Sequence, residues 1–241
     1  PMNRCASAHA RSGSARAMRL AYDTFLSPET ARAIDWMGDL HNKDVLVLGC
    51  GMGVGAVHLA QRGARVVATD VSVQRCHAAA TWANEQEMTG TLGFRCMPAE
   101  ELELPDHSVD RVFARDTLMY AEPQRVAEAC ARVLRPGGRA VFVESLAGGR
   151  LIRMMRCLVN PPEWAAFTHY LTYHELGQLG GGLRLERQEP WHLVGIAAFA
   201  LLFVLRWRRG FAALLRCTVP VDAYLLKRYP ALCSRVWRGI A

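Results

Sequence analysis

The residues best suited to chemistry cluster around a run of glycines. Gly49-Cys50-Gly51-Met52-Gly53-Val54-Gly55 places a glycine at every second position. Glycines in such a run let the backbone turn sharply and approach a ligand with no side chain between. Asp70 follows 21 residues after Gly49. A carboxylate at that distance, closing the next strand, can accept hydrogen bonds from both hydroxyls of a ribose. Loop, strand and acid at this spacing say more than the glycines alone.

These residues need elements to hold them. Val45-Leu46-Val47-Leu48 is a continuous apolar run, as in a strand buried on both faces of a parallel sheet. The glycines follow it directly, and the spacing predicts a helix over 56–62. Residues 65–70 read as a second strand ending at Asp70, and 73–87 as an alanine-rich helix. Further strands are expected over 91–96, 109–114 and 139–144, with a helix over 123–134. Arg135-Pro136-Gly137-Gly138 reads as a turn between that helix and the last strand. Ser27-Pro28-Glu29 opens an earlier helix within 24–40, with a cap, a first-turn proline and an early acid. Alternating strands and helices with short loops imply an α/β fold with a parallel sheet.

The rhythm changes after Glu144. Residues 146–155 and 161–169 read as irregular. Thr172 and Glu175 form a T-x-x-E capping box at the head of a short helix. Strands are expected within 184–189 and 234–240. Residues 193–205 carry no charge and lead into Arg206-Trp207-Arg208-Arg209. Thirteen such residues are too few to cross a bilayer, which takes about 20. They suit a buried or an interfacial helix.

Composition narrows the classes. The chain has 241 residues, 51% hydrophobic and 21% charged, with a mean hydropathy of +0.04. That excludes a disordered chain and a disulfide-stapled miniprotein. Net charge is +7, and the excess lies late: residues 146–241 hold 13 Lys and Arg against 5 Asp and Glu. Eight cysteines stand with no C-x-x-C pair, so no zinc or redox motif is expected, nor any metal. Scattered cysteines suit a reducing compartment, and a cytoplasmic location is the expectation. Residues 1–20 lack a continuous apolar stretch, so they read as a flexible arm rather than a secretory signal.

Three ordered stretches resemble the class I S-adenosylmethionine (SAM)-dependent methyltransferases. Val45–Gly53 is similar to their VLDLGCGTG motif. Residues 98–110 resemble DAEALPFPDGSFD, and Val133-Leu134-Arg135-Pro136-Gly137-Gly138 matches VLKPGG. Together they cover roughly residues 40–145. The resemblance implies a Rossmann-like fold: a largely parallel seven-stranded sheet, helices on both faces and a helical insertion before the last strand. It implies an N-terminal arm and lid helix over 1–40, a SAM-binding core over 41–145 and a substrate-facing region over 146–241. By the same resemblance Gly49, Gly51 and Gly53 would lie against the methionine part of SAM, in a cofactor-binding loop that includes Cys50. With no base visibly paired with it, Cys50 reads as a small loop filler rather than a nucleophile. Asp70 would hold the ribose and Val71 would pack on adenine. Ala99 and Glu100 would stand at the adenine edge, and Arg115 and Asp116 would face the methionine end and the acceptor. Val47 and Pro98 depart from the family, which carries an acid at each place.

A base is needed only where the acceptor must lose a proton. The expected catalytic candidates are Tyr22, Asp116, Tyr120 and His169, with Glu144, Tyr170, Tyr173 and His174 as weaker ones. The acceptor is expected to be a small, hydrophobic or lipid-like molecule. No nucleic acid is expected, because no N/D-P-P-Y-type motif follows the fourth strand. A peripheral membrane contact and a homodimer stay open. An NAD(P)-dependent Rossmann oxidoreductase competes, but predicts Gly-x-Gly-x-x-Gly rather than alternate glycines. A non-catalytic membrane-surface protein on the same fold is the third reading.

Overall fold

A computed structural model describes residues 27–159, 162–203 and 207–241. Tyr22 and Arg206 lie outside the described residues. The chain divides into two compact units. One holds the described residues up to Phe142 with Gly180–Arg184; the other holds Val143–Leu179 and Leu185–Ala241.

In the first unit, helix α1 (Pro28–Met37) starts where expected, with Pro28 in its first turn, and buries Ala33, Ile34 and Met37. It ends earlier than residue 40, at Gly38 with φ +74°. Then come β1 (Asp44–Leu48), α2 (Val54–Gln61), β2 (Arg65–Asp70), α3 (Val73–Ala83) and β3 (Thr91–Cys96). β4 (Val109–Arg115), a 3-10 turn (Leu118–Tyr120), α4 (Pro123–Val133) and β5 (Leu134–Ser145) follow. Helix α3 stops at Ala83, short of the expected 87. Glu85 and Glu87 would have placed carboxylates at the negative end of the helix dipole.

β5 starts five residues earlier than the expected 139. The Arg135-Pro136-Gly137-Gly138 stretch is part of it, with Gly137 at φ +77°. A Cβ on Gly138 would stand 2.8 Å from the Arg135 carbonyl oxygen and 3.0 Å from that of Asp110, so the glycine permits this close backbone approach.

Hydrogen bonding orders seven strands as β3-β2-β1-β4-β5-β7-β6. β1 pairs in parallel with β2 and with β4, and β2 with β3. The chain therefore runs outward from β1 to β3 and then returns to the other side of β1 with β4. That reversal is a topological switch point, where ligands bind beyond the carboxyl ends of the strands.

The second unit changes the sheet's character. Its elements are α5 (Arg150–Val159), a 3-10 turn (Pro162–Ala166), α6 (Tyr173–Leu176), β6 (Glu189–Trp191), α7 (Ile196–Phe203), α8 (Arg208–Arg228), a 3-10 turn (Pro230–Arg235) and β7 (Arg238–Ile240). β7 pairs antiparallel with the end of β5 and with β6, so the sheet is mixed rather than wholly parallel. Two expectations fail here. Arg150–Val159 is helical although the sequence reads 146–155 as irregular, and in place of a strand within 184–189 one forms at Glu189–Trp191. The capping box is as expected: Thr172 Oγ1 accepts from the Glu175 N–H at 3.2 Å, and Glu175 accepts from the Thr172 N–H at 2.7 Å.

The core of this unit joins Ile152 of α5, Ile196 and Phe199 of α7, Phe211 and Leu215 of α8, and Trp237. Phe199 meets Trp237 and Phe211 edge-on, with ring centroids 4.4 and 5.0 Å apart. Among the described residues no helix is long and apolar enough to cross a membrane.

Candidate active site

The glycine bend leaves β1 at the switch point. Gly49, Gly51 and Gly53 have φ of +59°, +54° and +82°, the left-handed region that glycine occupies without steric cost. The Cys50 N–H donates to the Thr69 carbonyl at 2.7 Å and ties the bend to β2. The Gly53 N–H closes a turn onto the Cys50 carbonyl at 2.8 Å, and α2 begins at the next residue. Gly53 brings no side chain to cap α2, and the first-turn N–H groups of a helix have no partner within it.

The glycines do different jobs. A Cβ on Gly49 would stand 2.5 Å from Thr117 Oγ1, so this glycine lets the β1 and β4 ends approach each other. A Cβ on Gly51 would meet nothing within 4 Å. Gly51 thus borders open space, and a side chain there would enter it.

Asp70 is 4% exposed. Its Oδ2 accepts from the Gly51 N–H at 2.9 Å, and its Oδ1 accepts from the Ser72 N–H at 2.9 Å. Arg75 Nη1 lies 3.9 Å from Oδ2. Each carboxylate oxygen keeps a further acceptor site for a ligand hydroxyl. Val71 follows with half of its surface exposed, a flat apolar platform beside that carboxylate. The Cys76 thiol packs beneath, 3.8 Å from the Asp70 carbonyl. Burial, and then the charge of Asp70, push the Cys50 thiol far above its ordinary range, which disfavours the thiolate a nucleophile needs.

The far wall comes from the end of β4. Asp116 has φ +53°, an uncommon conformation for a residue with a side chain and one that costs roughly 1–2 kcal/mol. Thr117, 7% exposed, donates from Oγ1 to the Leu48 carbonyl at 3.1 Å. That bond fixes the point at which β1 hands over to the bend. Nothing in the sequence reading singled out Thr117; its only signal was its place after the β4 end. Arg115 is half-buried, and Tyr120, 44% exposed, closes the 3-10 turn that follows.

Other expected residues stand as follows. Ala99 is buried beyond β3. Glu100 accepts from the Glu122 N–H at 3.1 Å, so its carboxylate is tied to the residue that precedes α4. His169 belongs to the second unit, exposed on the coil ahead of α6, where its charge is felt by Glu175. Burial pushes the Tyr173 hydroxyl up to about 12, which makes it a poor base near neutrality. Among the described residues no group of three His, Cys, Asp or Glu is placed to hold a metal ion.

Comparison with known proteins fits this geometry. Residues 46–142 match the family model described as a methyltransferase domain. That match covers about two fifths of the chain and supports a class I SAM-dependent methyltransferase. An uncharacterized methyltransferase of Mycobacterium tuberculosis is 35% identical over 136 residues, 54% of this chain and 51% of the relative. A ubiquinone biosynthesis O-methyltransferase of Coxiella burnetii is 29% identical over 118 residues, 48% of this chain and 50% of the relative. The chain thus spans about half the length of the curated relatives it matches. Among solved structures, geranyl diphosphate C-methyltransferase from Streptomyces coelicolor superposes with a TM-score of 0.60 at 16% identity, covering 88% of this chain and 76% of that one. At that identity the likeness speaks for the fold.

The methyltransferase domain implies SAM as its cofactor. The residues present fit that group: Gly51 borders open space, and beside it are the buried Asp70 acceptor and the exposed Val71 platform. Val47 and Pro98 stand where the sequence comparison with the methyltransferase motifs expects an acid.

Proposed function

We propose that this protein transfers a methyl group from SAM to a small, hydrophobic or lipid-like acceptor. The observation that carries the reading is the bond between the Asp70 carboxylate and the Gly51 N–H, at the carboxyl end of the parallel strands. It joins an acceptor for ribose hydroxyls to the point where the backbone leaves room for a ligand. When bound, SAM supplies a methyl group on a positively charged sulfur, open to attack in line.

The chain's own residues position and screen. The bend and the α2 N–H groups bind the amino-acid end of the cofactor. Asp70 orients the ribose, and Val71 packs on the base. Asp116 is the side chain best placed to orient an acceptor hydroxyl or to take its proton. It follows the β4 end, and its neighbour Thr117 lies against Gly49. Most of the rate then comes from holding two reactants in line, which needs little more from the protein than geometry.

Two facts support a greasy acceptor. One relative is a ubiquinone biosynthesis O-methyltransferase, and a fold neighbour is a geranyl diphosphate C-methyltransferase. The test is incubation with methyl-labelled SAM and a panel of quinols, isoprenoids and polar small molecules. Label recovered in the organic phase, and absent with Asp116→Asn, is the expected result. Transfer only to polar acceptors would reject the acceptor class, and no turnover with any acceptor would reject the reading.

A further inference from the structure

Helix α8 carries a feature that methyl transfer does not use. Its inner face is formed by Phe211, Leu215, Thr218, Asp222 and Leu226, all buried at helical spacing. Asp222 is the only acid in the helix. It points inward, where its carboxylate accepts from the Val194 and Gly195 N–H groups at 2.7 and 3.1 Å and caps the start of α7. The outer face is left with one sign of charge. Arg209, Arg216 and Lys227 lie opposite the buried face, and Arg228 flanks them, all exposed.

Between these cations stand Ala213, Pro220, Val221, Ala223 and Tyr224, also exposed, with Tyr224 at 68%. Trp207 at one end of the helix and Tyr229 at the other are 58% and 50% exposed. Twenty-one residues make a rod about 31 Å long. Its outward side is therefore a basic stripe interleaved with aliphatic and aromatic side chains, capped by an aromatic at each end.

We propose that the outer face of α8 docks on an anionic phospholipid surface. Cations attract the headgroups while Trp207, Val221, Tyr224 and Tyr229 enter the boundary with the acyl chains. Nucleic acid is a poorer match. Phosphate and base contacts draw on Ser, Thr, Asn, Gln and Tyr as well as on cations, and of these α8 exposes only Tyr224, its Thr218 being buried. The helix lies on the surface rather than across it, since no described helix is apolar enough to span. This docking does not depend on the methyl-transfer reading, and its test uses neither SAM nor an acceptor.

The full chain is sedimented with vesicles of phosphatidylcholine alone or mixed with phosphatidylglycerol. It should pellet only with the mixed vesicles, and less as salt rises. The triple reversal Arg209→Glu, Arg216→Glu, Lys227→Glu should weaken partitioning roughly 100-fold, given the worth of each cation near an anionic surface. Trp207→Ser with Tyr224→Ser should weaken it without changing the salt dependence. Should the triple variant fail to fold by circular dichroism, Arg216→Glu alone is read for a roughly fivefold loss. Equal binding to neutral vesicles, or unchanged binding by the folded variants, overturns the proposal. So does variant-sensitive binding of RNA or duplex DNA in place of vesicles, or a dimer in light scattering that the triple variant splits.

Discussion

The Asp70 carboxylate and the Gly51 backbone N–H are hydrogen-bonded at 2.9 Å, so the acid that closes β2 also shapes the bend that follows β1. In the proposed function one side chain thereby serves the fold and the ligand together. Asp70→Ala removes both services, whereas Asp70→Asn keeps an oxygen for the Gly51 N–H and loses the charge. The alanine variant should bind SAM about 1–3 kcal/mol more weakly. The asparagine variant should fall between it and the wild type. Equilibrium dialysis of labelled SAM against the three proteins gives that order.

Gly49 and Gly51 both have positive φ, but their surroundings differ. Gly51→Val places a side chain in open space, and should abolish cofactor binding while lowering the melting temperature only by the cost of backbone strain. Gly49→Val meets Thr117 as well and should be the less stable of the two by at least about 1 kcal/mol, the scale of an overpacked site. Thermal melts paired with SAM titrations separate the two roles.

A charge network ties the other ends of the strands. Asp44 on β1 takes Arg65 Nε at 2.7 Å and Arg135 Nη1 at 2.9 Å, and Arg135 also lies 3.0 Å from Asp110. The Arg65 guanidinium holds the Asp44 carboxyl below its ordinary value of 3.8, with burial opposing and Arg135 assisting. Burial pushes Asp110 up, but the Asp44 N–H and Arg135 outweigh it and leave the pKa lowered. Carboxyls depressed in the folded state stabilise it above their unfolded pKa, and that stability is lost as pH falls through the folded values. The melting temperature should therefore decline as pH drops below about 4. Arg135→Ala should lower it only slightly at neutral pH, since the Arg135 side chain is exposed and the pair is screened. The difference from wild type should close once both acids are protonated.

In the second unit, Asp222 links α8 to the start of α7. Its removal leaves two N–H groups without their acceptor in a buried setting. Asp222→Ala should cost about 2 kcal/mol or more, and Asp222→Asn should recover part of that. Urea unfolding of the full chain gives the size of the loss.

Much of the first unit was legible because its signals are local. The apolar run at 45–48 is a buried strand, the glycines are a bend, and Asp70 ends β2 beside them. What escaped is set by contacts distant in sequence. Helix α5 is interleaved with Arg150, Arg153 and Arg156, and follows Gly148-Gly149, so it read as irregular. Arg156 is in fact held by the Leu146 carbonyl at 2.6 Å and lies 3.6 Å from the centroid of the Tyr170 ring. Helix α8 was hidden by Pro220, which costs a helix interior about 3 kcal/mol. Burial of Phe211, Leu215 and Leu226 outweighs that cost. β6 and β7 are three residues each and pair antiparallel, too short to give a period of two. Thr117 matters only because Gly49 has no Cβ, a relation that no local pattern records.

Methyl transfer as proposed requires adenosine to be held between the Gly51 bend and Asp70. Calorimetric titration of S-adenosylhomocysteine into the wild type and into Asp70→Ala tests that most directly. A saturable heat with the wild type, and an affinity reduced about 5- to 150-fold in the variant, is the predicted result. No heat with the folded wild type, or equal affinity in the two proteins, would contradict it.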